Sequence, residues 1–338
     1  MTFSLAQSQF EAALKAVETD AASPAEKAEM LMEIAMGLQQ QPKTAEPLQQ
    51  AIELYRRALG ICPADSPLLG ARITMRLGTA LQALPGAGDD ALREARDCYE
   101  SALARLQGHA RAPEIAEIEL NLGLVMQSLA PGGAARVHDA IQCYHRALRT
   151  FTREEYPQEF AILHNNLAIA YLSIPLSDER GRMREALAVQ SFEEVLKVIT
   201  LVDHPSEYAM IQNNLGNALQ YVSSGHALQN TLRALEAYDE ALKVRTARDT
   251  PLEYANTLAN KANALRNLPD DPERPGLGRE AALSRACALY REALGIFLRM
   301  SAAHGAETVE EALMDIEREL GQPVVPQANG GASANALS

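Results

Sequence analysis

Tryptophan is absent from this chain, and aromatic residues of all kinds make up only 5% of it. The apolar mass must therefore come mainly from aliphatic side chains. Hydrophobic residues still reach 47%, and alanine and leucine supply them, the composition of closely packed helices. No stretch approaches the ~20 apolar residues that a membrane span needs. Near the start there is no basic segment, and Glu11 interrupts any apolar run, so no signal peptide is expected. Cation excess is missing too. A net charge of -13 and a pI near 5.1 argue against a nucleic-acid surface.

The four cysteines show no C-x-x-C spacing. Cys98 and Cys143 each stand directly before an aromatic residue and Cys287 three before one, a recurrence that reads as small buried apolar side chains. With Cys62 they are read as unpaired thiols of a reducing compartment, and a cytoplasmic location is expected. Catalytic signatures are lacking as well: there is no G-x-x-x-x-G-K-[ST], H-E-x-x-H or G-x-S-x-G. Gly276-Leu277-Gly278 follows a proline-rich loop rather than a strand, so it reads as a turn. His138 and His145 do not share one helix face with Cys143, and Asp270, Asp271 and Glu273 read as solvated surface. The expectation is no enzyme, no metal and no cofactor.

What the chain does contain is one pattern written six times. Its first half is Met36-Gly37, Leu77-Gly78, Asn121-Leu122-Gly123, Asn166-Leu167-Ala168, Asn214-Leu215-Gly216 and Asn260-Lys261-Ala262. Its second half is Tyr55…Ala58-Leu59, Tyr99…Ala102-Leu103, Tyr144…Ala147-Leu148, Phe192…Val195-Leu196, Tyr238…Ala241-Leu242 and Tyr290…Ala293-Leu294. The small residue recurs at steps of 41, 45, 45, 48 and 46 residues. A period in this range signals a solenoid in which no unit buries its own apolar face.

Each unit reads as two helices. Proline opens the first of them at Pro24, Pro113, Pro157, Pro205 and Pro251, with Pro63 a few residues early in the second unit. Ser23-Pro24-Ala25-Glu26 and Thr250-Pro251-Leu252-Glu253 fit reciprocal capping boxes. Tyr208, Ile211, Leu215 and Leu219 recur at helical spacing, and strand-like alternation is nowhere sustained. The fold class is all-α: a right-handed superhelical solenoid of antiparallel helix pairs. Residues 1–22 are expected to form a capping helix, 23–302 six helix pairs, 303–320 a closing cap and 321–338 a disordered tail.

The pattern resembles the tetratricopeptide repeat, in the long-period version with an Asn-Asn-Leu-Gly core found in kinesin light chains and bacterial relatives. The resemblance covers about residues 24–300 and is most specific in residues 113–300. It departs in its longer loops and in lacking the tryptophan of the first helix, whose place falls to Gln212 and His164. The resemblance implies that the first helices line a concave surface that binds protein or extended peptide. An adaptor, or an assembly factor or chaperone for one client, is the expected role. A peptide-sensing regulator is the alternative, and an enzyme with a groove active site the weakest reading. No nucleic acid or membrane is expected as partner, and the oligomeric state is open.

Two residues before the small one, the array places Ala35, Arg76, Asn121, Asn166, Asn214 and Asn260. Four successive amides at one inward position form a ladder with donors and acceptors for a peptide backbone. Asn217 and Asn263 widen the strip, and Asn165, Asn213, Gln220, Tyr221, Asn256, Arg266 and Asn267 share or flank it. Asparagine is a poor helix former, so its repetition requires a cause. Contact with a ligand and bonds between adjacent helices both supply one, and the sequence leaves the two open. The carboxylate clamp of related proteins is not expected, because Asn213 stands where a lysine is needed. Arg72 and Arg76 are candidates to attract an acidic segment.

Overall fold

The computed structural model describes residues 11–12, 14–15, 17, 21–40, 44–86, 88–174, 179–222, 226–268 and 278–321, and of residues 179, 180, 182 and 221 only the backbone. Among these residues there are thirteen α-helices and no strand. None of these helices is long and apolar enough to cross a membrane. The chain forms two compact units, Met1–Pro175 and Leu176–Ser338.

The first unit contains three hairpins and a seventh helix. These are α1 (Pro24–Gln39) with α2 (Ala45–Ile61), α3 (Pro67–Ala83) with α4 (Asp89–Leu106), α5 (Ala112–Leu129) with α6 (Val137–Ala147), and then α7 (Pro157–Ser173). First helices also touch the first helices of neighbouring hairpins, α1 with α3, α3 with α5 and α5 with α7, so they form one continuous face. The second unit opens with α8 (Glu179–Val195). It continues with the hairpins α9 (Pro205–Tyr221) with α10 (Ala227–Leu242) and α11 (Pro251–Arg266) with α12 (Arg279–Arg299), and ends with α13 (Ala303–Glu319). Here α9 packs on α11 and α11 on α13. The expected opening cap at residues 1–22 and the tail at 321–338 lie largely outside the described residues, although Leu14 and Val17 pack against the core of the first unit.

One arrangement joins the two helices of most hairpins. The recurrent tyrosine of the second helix lies across the glycine of the first, Tyr99 on Gly78, Tyr144 on Gly123 and Tyr238 on Gly216. Tyr55, Tyr99, Tyr144 and Tyr238 are fully shielded from solvent. A methyl group on Gly123 would stand 2.5 Å from the Tyr144 ring, and one on Gly216 2.6 Å from that of Tyr238. These glycines are glycines because the ring occupies the space of a side chain. Each hydroxyl then finds an amide near the end of the first helix: Tyr144 donates to Gln127 (2.8 Å), Tyr99 to Gln82 (2.9 Å) and Tyr55 to Gln39. A buried phenol without such a partner would leave an unsatisfied polar group.

The site of the missing tryptophan is filled by polar side chains that have partners. Gln212 donates to the Tyr208 hydroxyl (2.9 Å), and the His164 ring sits 4.3 Å from that of Phe160. Glu119, at the same repeat position, is buried and receives a two-pronged bond from Arg146 at 2.7 and 2.8 Å.

The capping box at Ser23 is formed, with Glu26 N–H donating to the Ser23 hydroxyl and the Ser23 N–H to the Glu26 carboxylate. The one expected at Thr250 is not. Thr250 Oγ1 instead accepts from the N–H of Thr246 (3.1 Å), which helps close the turn that precedes the helix. In the second repeat it is Pro67, not Pro63, that heads the helix. The three turns before α7, α9 and α11 share a spacing that the repeat pattern alone did not reveal. The Thr200 hydroxyl donates to Asp203 (2.7 Å) and accepts from the Asp203 N–H (3.1 Å). Thr246 and Asp249 repeat both bonds at 2.9 and 3.0 Å. The Glu155 N–H donates to Thr152 in the third turn.

Two outcomes follow for stability. Gly123→Ala and Gly216→Ala must displace a buried ring, so each is expected to cost about 1–3 kcal/mol in urea denaturation. Gly37→Ala meets nothing within 4 Å and should be neutral or stabilising by up to about 1 kcal/mol. The second concerns pH. Burial pushes the hydroxyls of Tyr55, Tyr99 and Tyr144 well above their ordinary 10.0. A raised folded-state value means stability that is complete below the unfolded value and is lost as pH climbs through the folded one. Thermal midpoints followed by circular dichroism should therefore hold level up to about pH 9 and fall beyond about pH 10. Tyr144→Phe should soften that fall.

Candidate functional site

The asparagine ladder divides into amides that are spoken for and amides that are not. In the first unit Asn121 lies on α5 and Asn166 on α7, both half-buried, and neither side chain forms a hydrogen bond among the described residues. Asn166 is flanked on its helix face by Ile162 and Ile169, both exposed. The Oδ1 of Asn165 is shielded from solvent and has no hydrogen-bond partner among the described residues.

In the second unit the amides interlock. Asn213 is 8% exposed, and its Oδ1 accepts from Asn260 Nδ2 across neighbouring hairpins at 3.2 Å. Asn214, next to it, is half-buried and makes no such bond among the described residues. Asn256 is exposed on α11. Tyr221 is the last residue of α9, and only its backbone is described.

Beyond these, a directional relay runs through the strip. Asn267 Nδ2 donates to Asn263 Oδ1 (3.4 Å), and Asn263 Nδ2 to Gln220 Oε1 (3.2 Å). Gln220 Nε2 donates to the Tyr238 hydroxyl, which donates to Asn217 Oδ1 at 2.7 Å. Each bond fixes the orientation of the next amide. The chain leaves unused the two N–H donors of Asn217 at one end and the Oδ1 acceptor of Asn267 at the other. The four amides of the relay, Asn217, Gln220, Asn263 and Asn267, line a cleft of about 400 Å³ with Thr231, Asn260 and two alanines, Ala227 and Ala264. The Thr231 hydroxyl donates back to the Ala227 carbonyl within its own helix (2.9 Å). Among the described residues the lining holds amides, one hydroxyl and two alanines, and no ionisable side chain. Among the described residues no group of His, Cys, Asp or Glu is arranged to hold a metal ion.

The arginines are engaged. Arg72 Nε donates to Glu114 at 2.8 Å, Arg76 Nη1 to Glu117 at 3.2 Å and Arg266 Nη2 to Asp315 at 3.2 Å, each on the next first helix or on the closing helix. They tie neighbouring repeats together, and an acidic segment would have to displace a carboxylate already in place. Burial pushes the thiols of Cys98 and Cys143 up to about 11 and about 12, where they are un-ionised at neutral pH and act as small apolar groups. The relay could not be read from the sequence because Gln220 and Tyr238 lie on different helices. Only the spacing of Gln82, Gln127 and Gln220, each four residues after a glycine, signals it.

The bonded and unbonded amides should separate in a double-mutant cycle. Asn213→Ala and Asn260→Ala are each expected to lower stability by about 1 kcal/mol and to couple, since both remove one partly buried hydrogen bond. Asn214→Ala should leave the denaturation midpoint nearly unchanged.

No protein-family model matches the chain, and no curated protein sequence matches it. Among solved structures, BtubC (BKLC) from P. vanneervenii is similar over 72% of this chain and 92% of its own length, with 21% identity and a TM-score of 0.50. A signal-transduction ATPase with a tetratricopeptide repeat sensor from Pyrococcus horikoshii aligns over 87% of this chain and 46% of its own, at 12% identity and a TM-score of 0.47. The apo form of RapI aligns over 94% and 99%, at 12% identity and a TM-score of 0.44. With its repeat spacing, its tyrosines seated on small residues and its likeness to BtubC, this chain has the tetratricopeptide-like, all-α helical repeat fold.

Proposed function

We propose that the protein is a non-catalytic repeat adaptor that holds an extended peptide segment of a partner in the amide-lined cleft of its second unit. The observation that carries this reading is the polarity of the relay. At the Asn217 end the cleft presents N–H donors for a backbone carbonyl, and at the Asn267 end an oxygen acceptor for a backbone N–H. A peptide main chain carries both groups in fixed order. Amides recognise that backbone without demanding a charged side chain, which suits a partner chosen mainly by conformation. The interlocked amides are already oriented, so little side-chain freedom is lost on binding.

The test is selection from a random-peptide phage library on the full chain, followed by titration of the enriched peptides by fluorescence anisotropy. Asn217→Asp keeps the acceptor for Tyr238 but removes both donors. It should weaken the selected peptides about 5- to 30-fold, or roughly 1–2 kcal/mol, at an unchanged melting temperature. N-methylation of one ligand amide should do the same. Failure to enrich any peptide, or equal binding by Asn217→Asp and by the double variant Asn217→Ala/Asn263→Ala, would overturn the reading.

A further inference from the structure

The first unit carries a second surface of different chemistry. On the face formed by α1, α3 and α5, a groove of about 710 Å³ runs to the start of α7. Its floor is methionine-rich, with Met32 and Met36 from α1 and Met75 from α3, joined by Leu120 and Phe151. Three of the ten methionines of the chain line this one groove. Unbranched thioethers adapt to the shape of what they meet, and they are favoured on surfaces that receive apolar side chains.

The charges around this floor are not balanced. Arg72 and Arg76 are held by Glu114 and Glu117. Once those pairs are set aside, Glu33 on α1 and Glu159 on α7 stand at opposite edges of the groove with no ion pair among the described residues. Arg111 is the one lining cation without a carboxylate partner among the described residues. The paired arginines matter in a second way, because they leave little to attract an anion. Its apolar floor is thus crossed by two internal ion pairs and flanked on α1 and α7 by one carboxylate each, against one lining cation outside those pairs, Arg111.

We infer that this groove is a docking surface for a basic amphipathic peptide segment, one with leucine, methionine or phenylalanine at its centre and lysine or arginine to either side. Apolar side chains of the segment seat on Met32, Met36 and Met75, and its cations meet Glu33 and Glu159. The surface is independent of the amide cleft. It lies in the other unit, and it selects by charge and apolarity where the cleft selects by backbone.

The probes are three labelled synthetic peptides of about 18 residues, five helical turns. In the first, leucine forms one face and lysine the flanks. The second has glutamate for each lysine, and the third scrambles the first so that the two residue types no longer segregate. Anisotropy titration of the full chain should show the first bound at least about tenfold more tightly than the other two, with affinity falling as salt rises from about 0.05 to 0.3 M. Because a chain of net charge -13 attracts any cation weakly, variants decide the location. Glu33→Gln/Glu159→Gln and, separately, Met36→Gln should each weaken the basic peptide about fivefold or more at an unchanged melting temperature. Glu307→Gln/Glu310→Gln, on α13, removes the same charge elsewhere and should leave binding as it was. Equal binding of the scrambled peptide, stronger binding of the acidic one, or equal losses in the remote and groove variants would each overturn the inference. Peptides selected for the amide cleft should bind Glu33→Gln/Glu159→Gln normally, so the two readings fail separately.

Discussion

The seating of a tyrosine ring on a residue with little or no side chain is the contact on which the rest of this structure depends. A helix pair can approach closely only where one partner gives up its Cβ, and the ring fills the space so created. That contact sets which faces of the two helices meet. It thereby decides which faces of the first helices are left to line a surface. The hydroxyl of the ring then needs a partner, and the glutamine near the end of the first helix supplies it. In the second unit the partner becomes part of a longer relay, so a packing requirement of the core reaches the cleft as an oriented amide. Core and candidate site are here the same set of bonds.

The two halves of the array put different chemistry on the same scaffold. In the first unit, ion pairs such as Arg72 with Glu114 link neighbouring first helices beside a methionine-lined groove. In the second, an amide pair, Asn213 with Asn260, links α9 to α11, and an ion pair, Arg266 with Asp315, links α11 to α13. Exposed or half-exposed ion pairs contribute modestly and weaken with salt. Bonds between neutral amides are much less sensitive to it. The amide link between α9 and α11 should therefore hold under ionic conditions that loosen ion pairs such as Arg72 with Glu114 and Arg266 with Asp315.

The sequence made the fold legible because burial repeats: Gly78, Gly123 and Gly216 mark the small positions and Tyr99, Tyr144 and Tyr238 the rings, at spacings that survive any change of loop. The cap at Ser23 was legible for the same reason, since its partners lie within one turn. What the sequence withheld was the pairing of residues far apart in the chain. The ladder of Asn121, Asn166, Asn214 and Asn260 looks uniform when written out, yet Asn260 is bonded to Asn213 while Asn214 is not bonded at all among the described residues. Arg76 stands in the same column as those amides, and only the packing of α3 on α5 brings Glu117 to it. Thr250 fits the local rule for a capping box, but a threonine four residues earlier claims its hydroxyl.

The turns closed by Thr152, Thr200 and Thr246 have a consequence for how such an array can change. From the buried aromatic to the proline that opens the next helix pair, the distance is 13 residues in each case: Tyr144 to Pro157, Phe192 to Pro205 and Tyr238 to Pro251. From that proline to the next aromatic the interval varies, with 33 residues between Pro205 and Tyr238 and 39 between Pro251 and Tyr290. These three joints are thus of constant gauge, the two before them differ by one residue each (12 from Tyr55 to Pro67 and 14 from Tyr99 to Pro113), and the larger differences in length fall at the tips of the pairs. Repeats of this kind can be lengthened, shortened or exchanged at those tips while each first helix keeps its place in the row, so new recognition loops can be grafted there without retuning the surface beneath.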